Sequence, residues 1–117
     1  MPTITASDLE QFTGTENWYQ HGLMRKITYT DGCRYLAENA GAYWLLDEVA
    51  ISQMRPLVHA QPFQVWELKV KGSKATLRCE DGDGNKVYGK RIEFTDFPLP
   101  EVKLFFVDNV ILLPSEY

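Results

Sequence analysis

The sequence has few cysteines, few histidines and no long hydrophobic run, and each shortage excludes a class of protein. Two cysteines, Cys33 and Cys79, are too few and too far apart for a disulfide framework, and no C-x-x-C pair occurs. Apolar runs such as residues 110–113 are far shorter than the roughly 20 residues that cross a bilayer. The N-terminal residues lack the basic and apolar regions of a secretory signal. We therefore expect a cytoplasmic protein with free thiols and no membrane partner.

Acidic residues outnumber basic ones, 16 to 12, which gives a formal net charge of −4. Affinity for a phosphate backbone comes from many Lys and Arg contacts that displace counterions, so this balance argues against nucleic acid as the main partner. The closest approach to a basic stripe is Lys69, Lys71, Lys74 and Arg78. Weak nucleic-acid association through this Lys69–Arg78 face is one alternative; the simpler interpretation is a solvated strand face.

The first half of the chain has helical character. Apolar residues recur at three- and four-residue steps near residues 31–55, which predicts a helical segment there. A short N-terminal helix precedes it and ends at Gly14, and residues 15–22 have the composition of a loop. Gly41 either closes one helix and starts another or permits a close crossing over a sheet. Leu23 to Thr30 has the β-branched and aromatic content of a strand.

From Phe63 onward the apolar period changes to two, which predicts strands. Polar turns at residues 80–85 and 108–109 separate them in meander order. Strands segregated from helices indicate an α+β fold. The prediction is one domain over residues 1–117, with an antiparallel sheet of five to six strands packed against the helical segment.

The turn at residues 80–85 partly matches a calcium-binding loop. Asp81, Asp83 and Asn85 supply alternating oxygen ligands, but Lys86 stands where that loop needs glycine. Position 92 is Ile rather than the bidentate glutamate, and no helix is expected on either side. A plain β-hairpin turn is the better interpretation, so we predict no metal site.

Residues for nucleophilic catalysis are sparse. Cys33 falls in the first turn of the predicted helical segment, where the helix dipole lowers a thiol pKa, and His21 is one of only two histidines. A pocket between helix and sheet that uses Cys33, His21 and Asp31 for thiol chemistry or small-molecule binding is therefore a second alternative. A small core cysteine is the simpler explanation. Phosphate-binding and nucleophile-elbow motifs do not occur, so we predict no catalytic residue and no cofactor.

The aromatic residues are the remaining candidates for function. Trp18, Tyr19 and His21 lie in the predicted loop, and Trp44 lies in the helical segment. Trp and Tyr outside a core are enriched at binding surfaces because they combine a large area with a polar tip. Together with the missing catalytic motifs, these four residues predict a non-enzymatic module that binds another protein or its own copy.

Four segments of the chain resemble a known family. They are FTGTENWYQH, YTDGCRYLAENAGAYWLLD, TDFPL and the terminal ILLPSEY, and the likeness runs from Phe12 to Tyr117. The family consists of small bacterial, phage and plasmid proteins and is catalogued only as a domain of unknown function. The resemblance implies a compact protein of bacterial or mobile-element origin and carries over no catalytic or binding residue.

Overall fold

The computed structural model describes residues 4–117, and within them the α+β class is confirmed. The helices are α1 (Ala6–Glu10), α2 (Asp31–Ala40), α3 (Tyr43–Ser52) and α4 (Pro56–His59). The strands are β1 (Trp18–Gln20), β2 (Thr28–Thr30), β3 (Phe63–Lys71), β4 (Lys74–Asp81), β5 (Lys86–Ile92), β6 (Glu101–Val107) and β7 (Val110–Leu112). A 3₁₀ turn, η1 (Pro114–Glu116), follows β7.

The described strands form one sheet of seven, in the order β1-β2-β7-β6-β3-β4-β5, so the predicted count of five to six was too low. The sheet is mixed, because β2 pairs with β7 in parallel while the other pairs are antiparallel. The predicted loop at residues 15–22 contains β1, and only the last three residues of the predicted strand at 23–30 form β2. Both strands are three residues long, too short to show a period of two.

Gly41 ends α2 rather than permitting a close crossing. Its φ of 62° is left-handed, and the amide of Ala42 donates to the carbonyl of Ala37 in the last turn of α2. The helical segment therefore divides into separate short helices, and Pro56 opens α4 at a position where its missing N–H costs nothing. No helix within residues 4–117 combines the length and the apolar character that a membrane span needs.

The helices cover one face of the sheet, which we call the inner face. Trp66, Leu77, Leu104 and Ile111, from four different strands, are at most 1% exposed there. Because side chains alternate along a strand, the intervening residues point to the other side, the open face, where they are half-buried or exposed. Lys90 on β5 reaches across the inner face to Glu48 on α3, with its Nζ 2.6 Å from Oε1.

The two predicted polar turns are confirmed as hairpin turns. The Asp81 carboxylate accepts hydrogen bonds from the amides of Asp83 and Asn85, both at 2.9 Å. These bonds turn the chain from the end of β4 into β5. Asp108 and Asn109 have φ of 53° and 62°, the left-handed pair that a two-residue hairpin between β6 and β7 requires. Residues 4–117 contain no group of three or more His, Cys, Asp or Glu side chains that could hold a metal.

A buried glutamine pair joins the helices to the sheet. Gln64 on β3 is 0% exposed, and its Nε2 donates to Oε1 of Gln53 at 2.9 Å and to the carbonyl of Val58 at 2.8 Å. Its Oε1 accepts from Nε2 of Gln53 at 2.8 Å and from the indole of Trp66 at 2.9 Å. Every polar atom of the Gln64 side chain is therefore satisfied inside the core, which fixes α3 and α4 against β3.

Replacing Gln64 by Leu should destabilise the fold by about 2–4 kcal/mol, since the variant leaves buried groups of Gln53, Val58 and Trp66 unpaired. Urea denaturation followed by tryptophan fluorescence measures this change. Gln61→Leu is the matched control, because Gln61 is half-exposed, and it should shift the free energy of unfolding by less than about 0.5 kcal/mol. Equal effects of the two substitutions would contradict the network's role.

Candidate functional site

The segment that contains β1 is organised by one carboxylate, that of Asp31 at the start of α2. Asp31 Oδ2 accepts hydrogen bonds from Oγ1 of Thr15 and from the amide of Glu16, both at 3.1 Å. Its Oδ1 accepts from Nδ2 of Asn17 at 3.3 Å and from the hydroxyl of Tyr19 at 2.9 Å. Residues 15–19 therefore wrap around a single acidic group, which places β1 beside α2.

The hydrogen bond from Tyr19 is the main reason that the pKa of the Asp31 carboxyl falls to about 2, followed by the bond from the amide of Glu16. The Tyr19 ring is also covered by Arg34, whose guanidinium carbon lies 4.6 Å from the ring centroid. Arg34 in turn pairs with Glu38 one turn along α2, with Nε 2.8 Å from Oε1. Asp31 thus holds the Tyr19 hydroxyl and Arg34 covers the Tyr19 ring, which together keep β1 in a defined position.

A second carboxylate, that of Glu116 in η1, ties the C-terminus to the same helix start. Its Oε1 accepts from the hydroxyl of Thr30 at 2.6 Å and from the amide of Leu113 at 2.9 Å, and its Oε2 accepts from the amide of Gly32 at 3.1 Å. A Cβ at Gly32 would lie 2.6 Å from Cδ1 of Leu113 and 2.7 Å from Oε1 of Glu116. Any larger residue at position 32 would therefore have to displace the Leu113 side chain and the bonded Glu116 carboxylate.

The outer edge of β1 presents backbone groups without partners. Tyr19 lies opposite Tyr29, and the neighbouring amide of His21 donates to the carbonyl of Ile27 at 2.9 Å. In an antiparallel ladder, residues that bond to the partner strand alternate with residues whose backbone groups point away from it. Because Tyr19 bonds to β2 and His21 bonds to Ile27 just before it, the N–H and C=O groups of Trp18 and Gln20 point away from β2. Within residues 4–117 no strand or side chain pairs with them.

The two edges of the sheet differ in their side chains. The β5 edge carries Lys86, Lys90 and Arg91, and charged side chains of this kind discourage strand pairing. β1 has the sequence Trp-Tyr-Gln and no charge, and the Trp18 side chain is 58% exposed. An uncharged edge with an exposed tryptophan is suited to accept another strand.

The four sequence-predicted interaction residues occupy different environments. Trp18 and Tyr19 lie on β1, Trp18 exposed and Tyr19 half-buried. His21 is only 4% exposed, and its Nδ1 accepts from the amides of Leu23 and Met24. Because Nδ1 accepts these bonds, the ring N–H is on Nε2, which donates to Oδ1 of Asp47 at 2.7 Å. This bonding makes His21 a link between the turn after β1 and α3.

Trp44, the fourth predicted residue, lies on α3 and is half-buried against the core. Its neighbour Tyr43 is 44% exposed, and the Tyr43 hydroxyl donates to Oε1 of Glu38 at 3.3 Å. The exposed interaction surface of the predicted set is therefore concentrated at Trp18.

The residues of the thiol alternative do not form an accessible site. Cys33 is 0% exposed, and burial raises the pKa of its thiol to about 12. Burial likewise raises the pKa of the Cys79 thiol to about 12. Asp31 accepts hydrogen bonds from the loop before β1, and both ring nitrogens of His21 are bonded. Burial raises the pKa of the Cys33 thiol by more than the start of the helix lowers it, so this cysteine is a core residue.

Sequence reasoning missed the groups that build this site. The Thr-Asp-Gly start of α2 was recognisable as a helix cap, but no local signal shows that Asp31 binds residues 15–19 or that Glu116 reaches Gly32. The unpaired N–H and C=O groups of Trp18 and Gln20 belong to the backbone, and only the strand register shows that they are unpaired.

Comparison with known proteins adds one result. A family of unknown function (DUF6876) matches residues 3–117 of the chain. No curated protein and no solved structure matches this chain. The family description names no activity.

The lowered pKa of Asp31 makes a pH prediction. The folded pKa of about 2 lies below the model-compound value of 3.8, so this group stabilises the fold above pH 3.8 and loses that contribution as pH falls towards 2. Asp31→Asn should be less stable than the wild type at pH 6, and the difference should shrink between pH 4 and 2. Urea midpoints across this range measure it. A difference that is independent of pH would contradict the assignment.

The two buried thiols make a labelling prediction. Cys33 and Cys79 should react with a thiol reagent at neutral pH much more slowly than free cysteine, because both are buried and protonated. Reaction in denaturant should be complete and fast. Native labelling of Cys33 as fast as that of a free thiol would revive the thiol alternative.

Proposed function

We propose that this chain, which belongs to the family of unknown function DUF6876, is a non-enzymatic protein-interaction module that pairs with another strand through the edge of β1. The observation that carries the proposal is the outward direction of the N–H and C=O groups of Trp18 and Gln20 at an uncharged edge. An added strand satisfies these groups and extends the sheet by main-chain hydrogen bonds.

The support beneath β1 favours this role. A three-residue strand alone is weakly held, but Tyr19 is fixed by Asp31 and Arg34, so the edge is ordered before a partner arrives. Binding to an ordered edge avoids part of the entropy lost when a loop is immobilised. Trp18 adds a large side chain next to the paired backbone, and tryptophan is enriched among residues that dominate interface energetics.

The charges that flank β1 point to a second copy of the chain as the partner. Glu16 precedes the strand, and Arg25 follows it in a turn that Gln20 holds close by donating from Nε2 to the Arg25 carbonyl at 3.0 Å. Antiparallel pairing about a two-fold axis at Tyr19 brings Glu16 of one copy towards Arg25 of the other. The two-fold axis produces the same contact a second time, with the charges of the two copies exchanged, so the interface is complementary to itself.

Two free cysteines in the core support the expected cytoplasmic setting, where thiols stay reduced. The burial of Cys33 and the fully used ring of His21 favour binding over catalysis.

Charge exchange tests the pairing. Glu16→Arg and Arg25→Glu should each weaken self-association about tenfold in sedimentation-velocity experiments, because each places like charges at two symmetric positions. The double exchange should restore association. Glu10→Arg on α1 is the control with the same change in net charge. A chain that is monomeric at millimolar concentration, or a double variant no tighter than the single ones, would contradict the proposal.

Trp18→Ala should also weaken self-association by about tenfold or more while leaving unfolding cooperative, since the side chain is exposed in the single chain. Leu57→Ala is the matched control, because Leu57 is 74% exposed and lies on α4, away from β1. Thermal unfolding followed by circular dichroism checks the fold of both variants. Equal weakening by the two substitutions would show that general surface hydrophobicity, rather than the β1 edge, causes association.

A further inference from the structure

The open face of the sheet carries a group of cations at the turn between β3 and β4. Lys69 and Lys71 lie on β3, Lys74 lies on β4, and Arg91 of β5 pairs in register with Thr76. The three lysines alternate with the buried residues of β3 and β4, and Arg91 shares their side of the sheet because its partner Thr76 lies there. We call these four residues the cationic end.

The cationic end is not explained by ion pairing inside the chain. Within residues 4–117, Lys71, Lys74 and Arg91 have no carboxylate within 4.0 Å, and Lys69 reaches only Glu67, at 3.6 Å. Lys71 and Lys74 lie directly opposite each other, and like charges at such positions destabilise a sheet. Two carboxylates lie nearby, Glu101 opposite Lys69 and Glu93 beside Arg91, and neither forms an ion pair there.

The neighbouring part of the open face is neutralised. Arg78 Nε lies 2.7 Å from Glu80 Oε2, and Lys103 Nζ lies 3.7 Å from Glu67 Oε2. Lys69 shares the Glu67 carboxylate with Lys103, so the cations left without a carboxylate partner at this end of the described sheet are Lys71, Lys74 and Arg91. Because the whole chain is acidic, with a net charge of −4, this end is a local positive region on a negative molecule.

An aromatic cluster lies at the opposite end of the same face. The Phe63 and Phe105 ring centroids are 5.0 Å apart, and Tyr117 packs edge-on against them at 5.3 and 5.6 Å. Tyr117 is 73% exposed. Phe63 and Lys71 share the open side of β3 and are eight residues apart, which corresponds to about 26 Å along the strand.

We propose that the open face binds single-stranded nucleic acid, with phosphates on the cationic end and bases against the aromatic cluster. A ligand that matches both ends must be anionic, extended and provided with flat apolar groups. Single strands have these properties, whereas a duplex hides its base faces by stacking. This site uses neither the β1 edge nor self-association, so it stands apart from the function proposed above.

Fluorescence anisotropy with labelled 12-residue oligo(dT) and oligo(U) tests the proposal between 20 and 200 mM salt. Contacts with three or four phosphates give an expected slope of about −2 to −3 for log affinity against log salt. Lys71→Glu should lower affinity about tenfold and make this slope shallower, since it removes a phosphate contact. Tyr117→Leu should lower affinity about fivefold or more with the slope unchanged, since stacking displaces no counterions.

Lys26→Glu is the matched control, because it makes the same charge change at an exposed position outside the open face, and it should change affinity less than about twofold. Equal losses for Lys71→Glu and Lys26→Glu would overturn the site in favour of a net-charge effect. Binding of decaglutamate but not of either oligonucleotide would also overturn it and indicate an acidic protein partner. An unchanged affinity in Tyr117→Leu would overturn the stacking contact.

Discussion

Two carboxylates at the first turn of α2 hold together segments that are distant in the sequence. Asp31 binds the loop before β1, and Glu116 brings the last residues of the chain to Gly32. The N-terminal amides of a helix and its dipole favour anions at this position, so the helix start is a natural anchor for acidic side chains. The strand β1 and the C-terminal turn are each three residues long, and these hydrogen bonds add to the few other contacts that hold them.

The parts of the fold that follow from local rules were predictable. The change of apolar period at Phe63 located the long strands, and the Asp108-Asn109 pair located the last hairpin. β1 was not located, and β2 was located only as the last three residues of the strand predicted at 23–30, because three residues carry no usable period. The parallel contact between β2 and β7 joins residues some eighty positions apart, and no local pattern encodes such a contact.

The candidate surfaces show a similar division. The type and surroundings of Trp18 predict an interaction residue, and its exposed side chain is compatible with that role, whereas His21 is buried and bonded to Asp47, a residue of another element. The Lys69–Arg78 face was visible in the sequence, but the net charge is an average over the chain and does not show that Lys71 and Lys74 lie unpaired on one side of the sheet. Alternation along the strands, rather than composition, separates positive from negative surface.

Hydrogen exchange of the β1 amides at two protein concentrations tests the central claim, that this strand is an ordered edge which pairs with a second copy. The Tyr19 amide bonds to β2 and should be protected at both concentrations. The amides of Trp18 and Gln20 should exchange quickly in dilute solution and slow down as the concentration rises. Exchange at Trp18 and Gln20 that does not depend on concentration, or a Tyr19 amide that exchanges as fast as theirs, would contradict the account.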